Sequence, residues 1–338
     1  MTHEIKQLFQ LAVQWQQVGK KSVLVTVVDL EGTSYRRPGV RMLLNEVGEF
    51  FGAVSGGCIE KEIQRQAKSV FQTDIPKMMT YDGRLRLGCE GILYILIEPL
   101  LLSEELISKF NNSLHNRLPF KTESYYIKSH GEYLGLGTQL IFEKQRFSLQ
   151  PDFKALEKEN IHSFFQDFPS LFQLYIFGAE HDAVELCLAA SKLGWEITIV
   201  ADPSELKTLD YFPGATRLIT PHYKSIDTSL IDSQTAIVLM THSFNKDVQY
   251  LLALKDSYPA YFGLLGSYHR SERILSKFLE YQPDISTEFL EQLHSPAGIN
   301  IGAESSSEIA VSILAEILSV IRNQKPIPLR DKKGKIHE

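Results

Sequence analysis

From Leu171 onward, short apolar runs take turns with helical patterns. Leu174 to Phe177, Glu196 to Val200, Ala236 to Met240 and Tyr261 to Leu265 read as buried strands. Polar residues and a helix-spaced stretch follow these runs. A strand that returns parallel to its neighbour needs a crossover, usually a helix, so this alternation predicts a parallel sheet with helices on both faces. The last helix is expected to start at Ser305-Ser306-Ser307-Glu308, a capping-box spacing, with Ile309, Ile313 and Ile317 on one stripe.

Open sheets of this kind bind ligands at the C-terminal ends of their strands. The residues expected there are Gly178, His181, Asp202, Thr241, His242 and Gly266. Gly178-Ala179-Glu180-His181-Asp182-Ala183 stands where a dinucleotide-binding turn would, and Asp202 lies 24 residues past Gly178. The second glycine of that fingerprint is replaced by Glu180, whose carboxylate crowds and repels a phosphate. The pattern therefore supports a Rossmann-like fold and argues against ordinary NAD(P) binding. Gly178 has two readings, a ligand-approach glycine or a turn required only by strand-to-helix geometry.

The first half mixes strands and helices differently. An amphipathic helix from Thr2 to Val18 ends at Gly19, and Ser22 to Asp29 is a β-branched run. Arg41 to Leu44 and Glu49 to Val54 form a predicted hairpin. Ser55-Gly56-Gly57-Cys58 then opens a helix to about Phe71. Two glycines allow a tight turn, and a helix start favours both thiolate and bound anion. Cys58 is thus either a small buried residue or a soft metal ligand beside an anion cradle at Ser55, Gly56 and Gly57. Cys89, in Gly88-Cys89-Glu90-Gly91, occupies a similar turn, and Arg41 is the candidate cation beside the Cys58 turn, or one of several solvated loop charges. Cys187 falls mid-helix in an apolar stripe and reads as core.

The boundaries expected are an α+β domain over 1–114, a connector or small β subdomain over 115–170, and the Rossmann-like domain over 171–338. The balance of 35 basic against 41 acidic residues, net −6, argues against a nucleic-acid-coating surface and leaves open only a local basic pocket. No apolar run is long enough to span a bilayer. Three cysteines without framework spacing point to a reducing, cytoplasmic setting.

Taken together, these segments resemble the XdhC/CoxI family, accessory factors of xanthine dehydrogenase and related molybdenum hydroxylases. The resemblance rests on Glu31-Gly32-Thr33-Ser34, Pro38-Gly39-Val40-Arg41-Met42, Ser55 to Glu60, Leu87 to Gly91, Phe177 to His181, Val200-Ala201-Asp202, Met240-Thr241-His242, Tyr261 to Ser267 and Pro296 to Ala303. It implies a maturation factor rather than a stand-alone enzyme: a chaperone that binds the molybdenum cofactor (molybdopterin), takes part in its sulfuration with a cysteine desulfurase, and delivers it to a xanthine dehydrogenase-like client. It implies that Cys58 touches the metal and that Arg41 and the Gly56 and Gly57 amides hold anionic groups. Glu90 and Glu180 stand where the family commonly has glycine. An NAD(P)-dependent oxidoreductase is the alternative, resting on the Rossmann pattern alone. Exposed hairpin edges make a homodimer the expected assembly.

Overall fold

The computed structural model describes residues 2–34, 37–54, 57, 59–85, 91–150, 153–155 and 160–333. The chain divides into two compact units, residues 1–170 and 171–338.

In the first unit the order is α1 (Thr2–Gln17), β1 (Ser22–Glu31), β2 (Arg41–Asn45), β3 (Phe50–Gly52), α2 (Glu60–Thr73), β4 (Lys77–Asp82), β5 (Ile92–Leu100), α3 (Glu104–His115), β6 (Phe120–Tyr126), β7 (Gly131–Glu132), β8 (Gly137–Phe142), β9 (Gln145–Ser148) and β10 (His162–Phe168). One antiparallel sheet runs β3-β2-β1-β5-β4-β7 and a second runs β10-β6-β8-β9. Strand side chains alternate between faces. Val23, Val25 and Val27 of β1, with Met42 and Leu44 of β2, pack against Ile63, Ala67 and Val70 of α2. Leu24 and Leu43 point the other way, into a core built with Ile5, Leu8, Phe9 and Ala12 of α1, Leu106 and Phe110 of α3, and Phe120, Leu140, Phe142 and Phe168 of the second sheet. Both faces of β1 are therefore covered, which is why it reads as an unbroken Val/Leu run. Ser103 caps α3, accepting the Leu106 N–H at 3.2 Å.

Residues 115–170, left open between connector and small subdomain, supply β6, β8, β9 and β10 of the second sheet and β7 of the first. β10 falls in a stretch without clean periodicity because Gln166, a polar residue, is one of its two buried positions, Phe168 being the other.

In the second unit the order is β11 (Gln173–Phe177), α4 (His181–Ser191), β12 (Glu196–Val200), β13 (Arg217–Ile219), β14 (Thr235–Leu239), α5 (Phe244–Leu254), β15 (Tyr261–Leu264), α6 (Tyr268–Tyr281), α7 (Thr287–Glu291), β16 (Leu293–His294) and α8 (Ser306–Ile321). The strands are parallel and ordered β13-β12-β11-β14-β15-β16. Renumbered within the unit this is 3-2-1-4-5-6, the Rossmann order, with its switch point between β11 and β14. Leu174 and Ile176 pack under α4 and α8, Tyr175 and Phe177 under α5 and α6. The capping box on α8 is present: the Ser305 hydroxyl accepts the Glu308 N–H at 3.3 Å and the Glu308 carboxylate accepts the Ser305 N–H at 2.9 Å. Cys187 is buried against this core, and burial pushes its thiol up to about 11. Among the described residues, no helix is long and apolar enough to cross a membrane.

Candidate functional site

At the switch point β11 ends and the chain turns into α4 through Gly178. Its φ is +140°, and a Cβ there would lie 2.4 Å from the Met240 carbonyl oxygen. The glycine is required by the close approach of the chain leaving β14, whatever else binds there. Gly178, Asp202 and Thr241, all expected at one edge, do come together around one small recess with Glu180, Glu205 and Lys246. Its free volume is about 20 Å³, room for roughly one water molecule.

Three carboxylates of that recess, Glu180, Asp202 and Glu205, share two lysines, Lys207 and Lys246. Glu180 is the N-cap of α4 without capping it through its side chain. Its carboxylate lies 3.5 Å from Lys207 Nζ, which also donates to the Ala179 carbonyl. Asp202 accepts the backbone N–H of Ser204 at 3.0 Å and the Ser204 hydroxyl, and it pairs with Lys246 at 3.3 Å. Hydrogen bonds from Ser204, then the Lys246 charge, hold its carboxyl down at about 2. A dinucleotide would have to displace Lys246 from the acid that reads its ribose, and would meet a carboxylate at the phosphate position.

Thr241, Gly266 and His242 serve structural contacts. Thr241 donates its N–H and O–H to Asp247 Oδ1, at 3.2 and 2.6 Å. Asp247 is fully buried, and its other oxygen is paired with the Arg270 guanidinium. Gly266 lets Arg270 pass: a Cβ there would sit 2.7 Å from Arg270 Cδ. His242, at a left-handed φ of 56°, places Nε2 3.0 Å from Asp182 Oδ2, and Ser306 at the start of α8 donates to the other oxygen of Asp182. His181 is exposed at the first position of α4. The two histidines and Gly266 do not line the recess. Lys207, Lys246, Asp247 and Arg270 escape a reading of the sequence, because no local motif marks them.

In the first unit, Ser55, Gly56, Cys58 and Cys89, like Glu90, lie outside the described residues. Gly57 has φ +115° and, among the described residues, nothing within 4 Å of where a Cβ would be. Ile59 and Glu60 lead directly into α2. Arg41 corrects the expectation of an exposed anion-binding cation. It shares a strand face with Leu43, so it points into the core between the two sheets. There it donates to Gly39 O at 3.1 Å, Thr122 Oγ1 at 2.9 Å and Gln166 Oε1, and lies over the Phe168 ring. Burial lowers its pKa to about 10, against the opposing charge of Glu98. Among the described residues, no three His, Cys, Asp or Glu side chains gather to hold a metal ion.

Comparison with known proteins gives a consistent picture. Residues 174–317 match the family description "XdhC Rossmann domain" and residues 15–82 match "XdhC and CoxI family". A Bacillus subtilis protein, named as a probable xanthine dehydrogenase component, is 27% identical across 88% of this chain and 93% of its own. The Escherichia coli molybdenum cofactor insertion chaperone PaoD is 26% identical across 96% of this chain and 91% of its own. A crystal structure from Bacillus halodurans, titled as a xanthine dehydrogenase, superposes with a TM-score of 0.75 and 26% identity over 94% of this chain and 96% of that one. These matches along both units show that the chain belongs to the XdhC/CoxI family.

Proposed function

We propose that this protein is a molybdenum cofactor chaperone that helps mature a xanthine dehydrogenase-type hydroxylase. The observation that carries this is its likeness, along nearly the whole of both chains, to a relative named as a molybdenum cofactor insertion chaperone. The cofactor is the cargo, an anionic pterin bearing a metal that accepts soft ligands. Two features support the 55–60 segment as its receiver: a glycine at Gly57 with nothing among the described residues within 4 Å of where a Cβ would be, and the start of α2 just after. On this reading Cys58 contacts the metal and Cys89 supports it. The small, acid-rich recess of the second unit, its two lysines already paired, makes an NAD(P)-dependent oxidoreductase the weaker reading. Cofactor sulfuration alongside a cysteine desulfurase, homodimerisation and a cytoplasmic setting belong to the same proposal.

The test is direct. The purified full chain is mixed with free molybdopterin, desalted, and treated with acid and iodine so that bound pterin becomes fluorescent. Wild type should retain about one pterin per chain, and Cys58→Ala should lose most of it while keeping its circular dichroism spectrum. Wild type that retains no pterin would end the chaperone reading. Titration with NADH, expected to leave fluorescence unchanged at millimolar cofactor, checks the alternative.

A further inference from the structure

A cleft of about 820 Å³ opens in the first unit where α1 and α2 end, against the start of β1 and the end of β5. Small-molecule sites span roughly 300–1,000 Å³, so a ligand of that kind has room here. The 14 residues of α2, about 21 Å of helix, stand between this cleft and the Cys58 turn, so it is distinct from the segment proposed to receive the cofactor. Val23, Val70 and Leu136, all buried, form its inner wall. Leu101 and Leu134 stand at its mouth, 49% and 72% exposed, so apolar surface continues from the interior out to solvent.

The polar side chains along the cleft are already engaged or turned away. The Gln16 amide closes on the backbone of Leu102, donating to its carbonyl at 2.9 Å and accepting its N–H at 3.0 Å. The Ser22 hydroxyl donates to the Leu100 carbonyl at 3.4 Å. Lys20 is held by Glu49 at 2.7 Å, and Lys21 by Asp74 at 3.1 Å and the Phe71 carbonyl at 3.3 Å. The Gln150 amide nitrogen is buried and turned to the Glu98 carboxyl. Pro76 and Pro99 add wall without an N–H to offer. That leaves Lys154, an exposed side chain in a stretch of sequence shared with Asp152, Glu157, Lys158 and Glu159, which lie outside the described residues. One solvated lysine among three acids does not select an anion, and a cation finds only Asp74, which Lys21 holds.

We propose that this cleft binds a neutral apolar small molecule, an alkyl or aryl body without a charged head. Such a ligand asks for no hydrogen bond that the walls do not have to give. Its affinity comes from apolar area taken out of water on both sides. A charged head carried into the cleft would lose its hydration without meeting a free counter-charge.

The probe is N-phenylnaphthylamine, a neutral dye whose emission rises on leaving water, titrated into the full chain. Saturable binding of one molecule per chain is expected, and decanol should displace it. Decanoate and decyltrimethylammonium, kept below their micelle concentrations, should each displace it at least tenfold less well than decanol. This series uses the wild-type chain and so does not depend on how any variant folds. Leu134→Glu and Leu101→Glu each set a carboxylate at the mouth and should weaken dye binding at least tenfold, with the unfolding midpoint within a few degrees of wild type. Lys154→Gln, which keeps the stem and removes the charge, should bind the dye as wild type does. Absence of saturable dye binding, displacement by either ion as good as by decanol, full affinity in both folded glutamate variants, or loss of binding in Lys154→Gln each overturns the proposal. So does a dimer, seen by sedimentation, that Leu134→Glu dissociates and that binds no dye, because a second copy of the chain would then cover the cleft.

Discussion

Each unit holds an acidic side chain at 0% exposure, Glu98 in the first and Asp247 in the second, and the two are satisfied in different ways. Asp247 has a cation in contact: Arg270 takes one oxygen, and the N–H and O–H of Thr241 take the other. Glu98 is met by neutral donors, the Thr138 N–H at 2.7 Å and the Thr138 hydroxyl at 2.5 Å. Arg41 faces the same interior but gives its hydrogen bonds to Gly39, Thr122 and Gln166. Burial without a contacting cation pushes the Glu98 carboxyl up to about 7, with the Thr138 bonds, the Gln150 amide and the Arg41 charge opposing it. One unit has thus fixed a charge in its core, while the other holds a group that gains or loses its proton near neutrality.

The largest effect expected is from breaking the paired site. Arg270→Leu leaves Asp247 buried as an uncompensated charge, and about 3–5 kcal/mol of stability should be lost from the second unit. Urea unfolding followed by tryptophan fluorescence would show it, Trp195 reporting on the second unit and Trp15 on the first. A loss under 1 kcal/mol would mean that Arg270 does not compensate Asp247.

The second effect belongs to the unpaired site. Glu98 has a folded pKa above its unfolded value of 4.5, so the folded state prefers the protonated form. Below the unfolded value it adds no penalty. As pH rises from about 4.5 to 7 the folded unit must give up a proton it holds more tightly, and stability falls, by about 3 kcal/mol in total. Glu98→Gln should remove that fall, matching wild type near pH 4 and exceeding it at pH 8. Urea midpoints for the two proteins that stay parallel across this range would sink the assignment.

The same contrast explains what could be read beforehand. The second unit was legible because its central strands are buried on both faces and appear as continuous apolar runs. Its edge strands were not: Arg217–Ile219 is largely exposed, and Leu293–His294 is two residues long. In the first unit the seam between the sheets is lined with Thr122, Ser124, Thr138 and Gln166, so polar residues occupy inward positions and the alternation that marks a strand fades. The strand-end site was legible in position, since Gly178, Asp202 and Thr241 do meet, but not in role. Thr241 and Gly266 serve the buried Asp247–Arg270 pair, whose members lie far apart in the sequence. The inward direction of Arg41 is not legible, because it depends on sharing a face with Leu43, and that follows from pairing with β1 rather than from the loop before it.

Smaller substitutions separate the two sites further. Thr241→Val removes one donor from Asp247 but leaves Arg270, so a loss of about 1–2 kcal/mol, little changed between pH 5 and 8, is expected. Thr138→Val removes a donor from a carboxylate with no contacting cation. Its cost should therefore depend on pH, small at pH 5 where Glu98 is protonated and about 2 kcal/mol at pH 8. Equal pH profiles for the two valine variants would erase the difference between the two acids.

The least effect is expected at Thr26, across from Arg41 in the β1–β2 pair. Its hydroxyl is fully buried with no partner among the described residues, and neither has Arg41 Nε. Thr26→Val keeps the shape and removes an unmet polar group, so stability should rise by up to about 1 kcal/mol. If it falls by that much, the hydroxyl is doing something the neighbouring side chains do not reveal. An internal water joining Thr26 Oγ1 to Arg41 Nε is the simplest bridge, and the first unit would then owe part of its seam to solvent where the second relies on a direct ion pair.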